Sequence, residues 1–532
     1  MHRVRNPETP SDNGLVESLM TPAAFDHPVD GVELIETHIS WVILAGNYVY
    51  KIKKPIKLDF LDFHDLERRK FFCDEEIRLN QSWAPDVYLD VVPITMENGQ
   101  PAFGGKGEAI EYAVRMRRFD QQGLLDRQLE RGTLSEADMK DLAAHIAERH
   151  LHAPVIESSQ RDRLIGLTKQ FMRDNFTALE GVVDDAELKH LRDWTEQELQ
   201  NLETQLAQRF DDGFVRDCHG DLHLANLVRL PGGITAFDCI EFNADLRHTD
   251  VFGDIGLLVM DLVAHRRHDL AAQFLNRYLE RTGDYDGMSV FSLYFVYRCL
   301  VRAKVAAIRC QERVDANEMA ADRDEVFFYC DMARRQTAPR VPILIVMSGF
   351  SGSGKTWVST KLLAAMPAIR VRSDIERKRI FGLHETADSG SGVGAGIYTA
   401  EAGGKVYERL FSVARTALAA GHNVILDAAF LGRAEREAAI DIARQCGGVP
   451  VIMPVSAPVE LMRQRILART DRADDASEAG LAVLEHQFAN AEPVADQEQA
   501  LVIPVDNSAN VDVAAIAAIA AEIKGKAKKK AR

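Results

Sequence analysis

The chain has no paired-cysteine spacing. Its seven cysteines, Cys73, Cys218, Cys239, Cys299, Cys310, Cys330 and Cys446, form no CxxC and are odd in number. This excludes a disulfide framework or thiolate zinc site and reads as reduced thiols filling core space in a cytosolic protein. Redox sensitivity of Cys218 and Cys239, which flank a motif discussed below, is the competing reading. Long apolar runs are missing too: nothing approaches the roughly 20 residues of a membrane span. The longest candidate, Val511–Ile523, is short, alanine-rich and interrupted by Glu522. The first residues, MHRVRNPETPSDNG, are polar with no apolar segment behind them. No signal peptide or membrane association is therefore expected, and the expected location is cytoplasmic. An excess of positive charge is also lacking. The formal net charge of −16 argues against broad binding of nucleic acid or anionic membranes by the whole surface. No long internal repeat occurs.

What is present suits an ordinary soluble protein, with 46% hydrophobic and 27% charged residues. A length of 532 residues exceeds what one hydrophobic core supports, so at least two domains are expected. Residues 1–14 read as a disordered leader. Glu33–Ile56 is β-rich, with a tight hairpin at Gly46–Asn47. An amphipathic helix is expected at Asp65–Ser82, then strands at Val87–Ile94 and Ala109–Met116 separated by the turn-rich ENGQPAFGGKG. Helical periodicity dominates from Ser135, interrupted at 215–241, with long helices at Val290–Val314 and Asp322–Arg335. Two prolines without periodicity around 334–342 mark a linker. Beyond it, strands at Ile369–Arg372, Asn423–Asp427, Val449–Pro454 and Leu501–Val505 alternate with helices, which predicts a parallel sheet covered on both faces. The expected layout is an α+β domain over 15–335, a linker at 336–342, an α/β domain over 343–523 and a basic, disordered tail at 524–532. A solvated tail is the default for GKAKKKAR; contact with RNA or an acidic partner is the alternative.

Two motifs carry chemistry. The first is HGDLHLAN, His219–Asn226. Phosphoryl transfer needs metals on the phosphates, a carboxylate for the attacking hydroxyl and a cation on the phosphates. Asp221 is the candidate for the hydroxyl. Asn226, five residues on, and Asp238, at the end of the strand-like ITAFDCIEF, are candidate metal ligands. Upstream, Lys51 in YVYKI suits the α/β-phosphates and Glu76 on the following helix suits a pair with it. Each has a near rival: Lys53 lies on the same strand face, and Glu75 neighbours Glu76. The segment from about 30 to 330 resembles the aminoglycoside phosphotransferase-like family of small-molecule kinases, most strongly at His219, Asp221, Asn226 and Asp238. The resemblance implies a two-lobed protein-kinase-like fold, Asp221 as catalytic base, and magnesium on Asn226 and Asp238. It departs from the pattern in lacking a glycine-rich loop before Lys51, where only Gly46 is available, and in having Cys-Ile after the metal aspartate. His223 is read as a satisfied loop histidine, with a polar role in the site as the alternative. His265–His268, Arg298, Arg302 and Lys304 offer positive charge to an acceptor, against a plain ion-paired helix face.

The second motif is GFSGSGKT, a P-loop behind the apolar strand ILIVMSGF. Gly349, Phe350, Ser351, Gly352, Ser353 and Gly354 would cradle phosphates at a helix N-terminus. Lys355 would reach the β/γ-phosphates and Thr356 the magnesium. Asp374 and Arg377, three apart at a helix start, face an acceptor hydroxyl and an anion respectively, a helix-end charge pair being the alternative. Asp427 ends a strand where it can assist the metal. Arg463, Arg465, Arg469 and Arg472 read as a mobile lid that stabilises the transferring phosphoryl. Residues 342 to about 510 resemble the P-loop kinases grouped with polynucleotide, gluconate and chloramphenicol kinases, often labelled AAA-family ATPases. Phe430 stands where many of that group carry Asn, which argues against a polynucleotide acceptor. No arginine-finger arrangement or second helical subdomain of ring-forming ATPases is present.

The expectation is a bifunctional ATP- and Mg2+-dependent kinase with small-molecule acceptors at both sites. Two readings compete with it: a polynucleotide 5′-hydroxyl kinase in the C-terminal domain, or a non-catalytic nucleotide-sensing regulator in the N-terminal one. Acceptors and oligomeric state are not encoded in these motifs.

Overall fold

The computed structural model describes residues 12–58, 61–392, 394–470, 476–494, 498, 501–509 and 512–530. The chain divides into two compact units. The first comprises the residues up to Leu134 with His152–Leu167 and Gly213–Asp254; the second comprises Ser135–Leu151, Thr168–Asp212 and everything from Ile255.

The chain enters through α1 (Asp12–Leu19), so residues 12–14 of the expected leader are helical. There follow β1 (Val32–Glu36), β2 (Ser40–Ala45), β3 (Tyr48–Lys53), the short pair β4 (Lys57–Leu58) and β5 (Leu61–Asp62), α2 (Leu66–Trp83), β6 (Tyr88–Glu97), β7 (Gln100–Phe103), β8 (Ala109–Arg117) and α3 (Leu125–Glu130). One antiparallel sheet has the order β1-β2-β3-β8-β6-β7. Ala45 pairs with Tyr48 across the turn, and Gly46 supplies the left-handed backbone (φ 58°) that a two-residue hairpin requires. The stretch read as turns alone, 97–107, contains β7, because Asn98 and Gly99 make a tight turn that folds QPAF back on β6.

Alternation along β3 sends Tyr50 and Ile52 into a core with Trp41, Ile43, Ile94, Phe103 and Leu19 of α1. The opposite face packs Tyr88 and Val114 against Cys73 of α2. Lys51 and Lys53, two residues apart, share that second face, so strand periodicity alone turns both towards α2.

The next stretch holds α4 (Glu136–His152), α5 (Arg161–Leu179), α6 (Asp185–Asn201), α7 (Glu203–Asp211), β9 (Val215–Asp217), β10 (Leu227–Leu230), β11 (Gly233–Ala236), α8 (Ala244–Arg247), β12 (His248–Asp250), α9 (Val251–Ala264), α10 (His268–Thr282), α11 (Met288–Glu312) and α12 (Ala316–Thr337). β9 pairs with β12 and β10 with β11, bracketing the loops that carry the first motif. Four of the basic residues considered for an acceptor, His265, Arg267, Arg298 and Arg302, are committed to neighbours. Arg302 lies 3.8 Å from Glu325 and over the Tyr329 ring, and Arg267 pairs with Asp269 at 2.7 Å. His265 bonds Asp261, which raises its pKa to about 9. Arg298 is buried beside Tyr297.

Residues 338–342 carry no helix or strand. Then come β13 (Ile343–Ser348), α13 (Lys355–Ala365), β14 (Ile369–Arg372), α14 (Ser373–Ile380), α15 (Ala400–Ala419), β15 (Val424–Asp427), α16 (Arg433–Gln445), β16 (Val449–Ser456), α17 (Val459–Thr470), α18 (Leu481–Asn490), β17 (Leu501–Val502), β18 (Val505–Asp506) and α19 (Val513–Lys530). The sheet is parallel, in the order β14-β15-β13-β16-β17, with β18 also on β16. The first strand of this sheet, β13, is central, with β15 and β14 on one side of it and β16 and β17 on the other. That change of side opens a crevice at its C-terminal end, where the second motif begins. The expected disordered tail is corrected in part: α19 continues through Lys530, since alanines and lysines are good helix formers, and Ile516 and Ile523 anchor it to the core. Among the described residues, no helix is long and apolar enough to cross a membrane.

Candidate active sites

In the first unit the candidate residues converge. Asp65 caps α2 through the Arg68 amide and starts the helix so that Glu76, three turns on, is fully buried under β3. Lys51 donates to Glu76 Oε1 at 2.8 Å and to Asp238 Oδ1 at 2.6 Å. Burial opposes the charge on Lys51, yet Asp238 and Glu76 together hold its pKa well above the usual lysine value. The rivals separate: Glu75 faces out to Arg78 at 2.7 Å, whereas Lys53 shares Glu76, donating to Oε2 at 2.7 Å and also to Glu241. The result is a buried Lys–Glu–Lys–Glu ladder. Sequence reasoning missed Glu241; its position three residues after Asp238 was the available signal.

The two loops are held in register by backbone bonds from Phe237 N to Asn226 O (3.0 Å) and from Ile240 N to His219 O (3.1 Å). His219 is buried and bonds the Phe237 carbonyl at 2.9 Å, while the His219 and Gly220 amides donate to Asp254 at 3.0 and 2.8 Å. Asp254 was not singled out from the sequence, having no distinguishing context there. Asn226 Nδ2 donates to Asp221 O (3.0 Å) and Oδ2 (3.1 Å). His223 Nε2 lies 3.4 Å from Asp221 Oδ2 while its Nδ1 accepts from the Ala225 amide, so it both caps its own loop and touches the candidate base. Asp238 has a left-handed backbone (φ 61°), which swings its carboxylate from the strand towards Lys51, and its amide donates to the Tyr88 hydroxyl at 3.1 Å. The side chains of Asp221 and Asp238 are 45% and 44% exposed and thus open to ligands. Asp238 and the Asn226 side-chain oxygen are hard donors of the kind Mg2+ prefers. The β1–β2 turn, Thr37–Ile39, contains no glycine, and Gly46 sits one hairpin further on. Cys218 and Cys239 are buried, and burial pushes both thiols well above their ordinary pKa, which removes the thiolate that redox chemistry needs.

In the second unit the P-loop wraps the N-terminus of α13. Gly352 takes φ 79°, and a Cβ there would lie 2.5 Å from the Met462 carbonyl, so only glycine fits. Lys355 Nζ folds back on the carbonyls of Gly349 (2.8 Å) and Phe350 (2.9 Å). Burial lowers its pKa, with Asp427 and Asp374 opposing and Arg469 adding to the effect. Ser351 N donates to Gln487 Oε1 at 2.8 Å, the Phe350 ring packs on Phe488, and the Ser353 carbonyl accepts from Asn507 Nδ2 at 2.9 Å. A cleft of about 340 Å3 is lined by Lys355, Thr356, Asp374, Arg377, Asp427 and Arg469, among others, a size suited to a nucleotide-scale ligand.

Arg377 Nη1 donates to the Ile397 carbonyl at 2.8 Å and its guanidinium stands over the Tyr398 ring. Asp427 ends β15 opposite Arg372 and accepts from Ser359 Oγ at 2.9 Å. The expected lid arginines do not act alike. Arg465 donates to Gly352 O, Ser353 O and Asn507 O at 3.4, 3.3 and 3.0 Å and so braces the cradle. Arg469 reaches Ala479 O at 2.6 Å, Arg463 pairs with Glu485 on the surface, and Arg472 lies outside the described residues. Phe430 is fully buried at φ 42°, packed on Tyr407, with its carbonyl held by Ser348 and Arg436.

Residues 344–494 match the family described as an AAA domain. Uncharacterized proteins of Mycobacterium tuberculosis and Mycobacterium bovis are 28% identical over 458 residues, covering 85% of this chain and 89% of theirs. Among solved structures, choline kinase from Cryptosporidium parvum Iowa II is similar over 57% of this chain and 89% of its own, at 12% identity and a TM-score of 0.37. A gluconokinase from Sinorhizobium meliloti 1021 is similar over 36% of this chain and 97% of its own, at 19% identity and a TM-score of 0.25. The family match thus falls on the parallel-sheet part of the chain that carries the P-loop.

Proposed function

We propose that the chain is a bifunctional phosphotransferase that moves the γ-phosphoryl group of ATP to hydroxyls of small-molecule acceptors at two independent sites. The supporting observation is that each candidate phosphate lysine lies among its own set of candidate residues: Lys51 bonds Glu76 and Asp238, on a loop joined by a backbone bond to that of the paired Asn226 and Asp221, and Lys355 lines one cleft with Thr356, Asp427, Asp374 and Arg377.

At the first site Asp221 takes the acceptor hydroxyl proton while the new O–P bond forms and the bond to the ADP leaving group breaks. Lys51 moves from Asp238 to the α/β-phosphates. Asn226 and Asp238 are the residues that would hold Mg2+, which supplies charge neutralisation on the phosphates. At the second site the P-loop amides and Lys355 hold the β/γ-phosphates, Asp374 orients the acceptor hydroxyl, and Arg377 binds acceptor anions. Thr356 and Asp427 are the residues that would hold Mg2+ there, with Arg469 stabilising charge on the transferring group and Arg465 keeping the cradle in shape.

The test is phosphoryl transfer from labelled ATP to pooled hydroxylated metabolites by the full chain. Asp221→Asn and Lys355→Ala should each delete a different subset of labelled products. If both variants label the same products as the unsubstituted chain, the proposal fails. A 5′-hydroxyl oligonucleotide in the same assay checks the nucleic-acid alternative, whose labelling would fall steeply with salt.

A further inference from the structure

Helix α10 belongs, with β14 and α13, to the second compact unit. Ala272, Gln273, Asn276, Arg277 and Glu280 recur at helical spacing and form one stripe. That stripe faces the P-loop sheet. Ala272 is part of its apolar core, and Gln273 Nε2 reaches the Thr360 carbonyl. Asn276 does for β14 what a further strand would do: its Oδ1 accepts from Arg370 N at 2.6 Å, and its Nδ2 donates to Ala368 O at 2.9 Å. β14 is the sheet edge, so these bonds satisfy backbone groups that would otherwise be unpaired.

One turn on, Glu280 accepts from Arg370 Nη2 at 2.8 Å, both groups being buried. The other arm of the Arg370 fork reaches α13, the helix behind the P-loop. Nη1 donates to Thr360 Oγ1 at 2.5 Å and to Ser359 Oγ at 3.4 Å. Ser359 in turn donates to Asp427 Oδ2 at 2.9 Å, and Thr360 Oγ1 donates to the Thr356 carbonyl at 2.7 Å. One buried guanidinium therefore ties a carboxylate of α10 to both residues that flank the P-loop site on the metal side, Thr356 and Asp427. A planar, always-charged fork with two arms in use fixes direction as well as distance.

We propose that Glu280 is a positioning residue for phosphoryl transfer at the P-loop site, acting through Arg370, Ser359 and Thr360 on Asp427 and Thr356. The inference rests on the P-loop reading above. Its consequence is that the P-loop site depends on a side chain from the helical region that precedes the apparent linker at 336–342.

The test is a double-mutant cycle in the full chain, reading Lys355-dependent kcat and the KM for ATP. Glu280→Gln and Ser359→Ala should each lower kcat by about 10- to 100-fold, as losing an outer-sphere support does, with KM for ATP changing about two-fold or less. Ser359→Thr, which keeps the hydroxyl, should recover most of the rate. Combined, Glu280→Gln and Ser359→Ala should cost little more than either alone, because both cut the same chain. Fully additive losses, or unchanged kcat in both single variants, would overturn the proposal. Should Glu280→Gln fold poorly, Ser359→Ala against Ser359→Thr still decides, since equal rates in that pair would also overturn it. Failure of the P-loop reading looks different: Lys355→Ala would then remove no activity from the unsubstituted chain.

Discussion

The two phosphate-binding lysines sit in opposite electrostatic surroundings. Lys51 is clamped by Glu76 and Asp238, and its pKa stands well above the ordinary value although it is buried. Lys355 is partly buried and donates to the backbone carbonyls of Gly349 and Phe350, and burial lowers its pKa. Under the proposed function, nucleotide and metal would displace Lys51 from Asp238 at the first site, whereas at the second an anion would offset the desolvation of Lys355. The lesson is that one fold surrounds its candidate phosphate lysine with carboxylates and the other with backbone carbonyls.

The largest expected effect is chemical. Asp221→Asn should reduce transfer at the first site by about 10²- to 10⁴-fold, the usual worth of a positioned base. The products that depend on Lys355 should be unaffected, and unequal losses in both product sets would break the comparison. Next, stability should move in opposite directions at the two lysines, as read by thermal or denaturant unfolding at neutral pH. The raised pKa of Lys51 means that its contribution is fully present below the unfolded lysine value and is lost only as pH rises through the folded one. Lys51→Met therefore removes one of the two cations on buried Glu76 and the partner of the half-exposed Asp238, and should destabilise by about 1–3 kcal/mol. The lowered pKa of Lys355 means that the folded state disfavours its proton, a penalty that fades as pH rises from the folded pKa towards the unfolded one. Lys355→Met should accordingly raise stability by about 1 kcal/mol while abolishing Lys355-dependent transfer. Stability changes of the same sign at both positions would refute the contrast.

Gly352→Ala sharpens it further, because the cradle is backbone, not side chain. The added methyl meets the Met462 carbonyl at a left-handed position, so about 1–3 kcal/mol of strain and weaker ATP binding are expected, with first-site products unchanged. The smallest catalytic effect belongs to Lys53. Lys53→Arg keeps the charge between Glu76 and Glu241 but overfills a fully buried slot, costing about 1–3 kcal/mol in an unfolding experiment. Its effect on first-site kcat should be lower than that of Asp221→Asn.

Much of this was legible in advance. The hairpin at Gly46–Asn47, the helix carrying Glu76 and the four major strands of the P-loop sheet follow from short-range signals: period-two alternation, helical amphipathicity, a glycine turn before a helix. The misses share one cause. QPAF was hidden as a strand because its flanking turns dominate its composition. The lid arginines looked alike because spacing on a helix does not say which residue meets the cradle. The partition of Lys51 and Lys53 between Glu76, Asp238 and Glu241 depends on residues 187 and 188 positions apart in the chain.

The sequence by itself determined that this chain carries two phosphate-handling motifs, on an α+β and an α/β scaffold, because each motif is a local pattern whose backbone demands are met by adjacent residues. Only the tertiary structure decided which partners surround each lysine, and that Glu280, 90 residues before its partner Arg370, bonds the edge strand of the P-loop sheet. Burial and ion pairing are properties of neighbours in space, and no spacing within either motif specifies which distant carboxylate, or none, will meet the lysine.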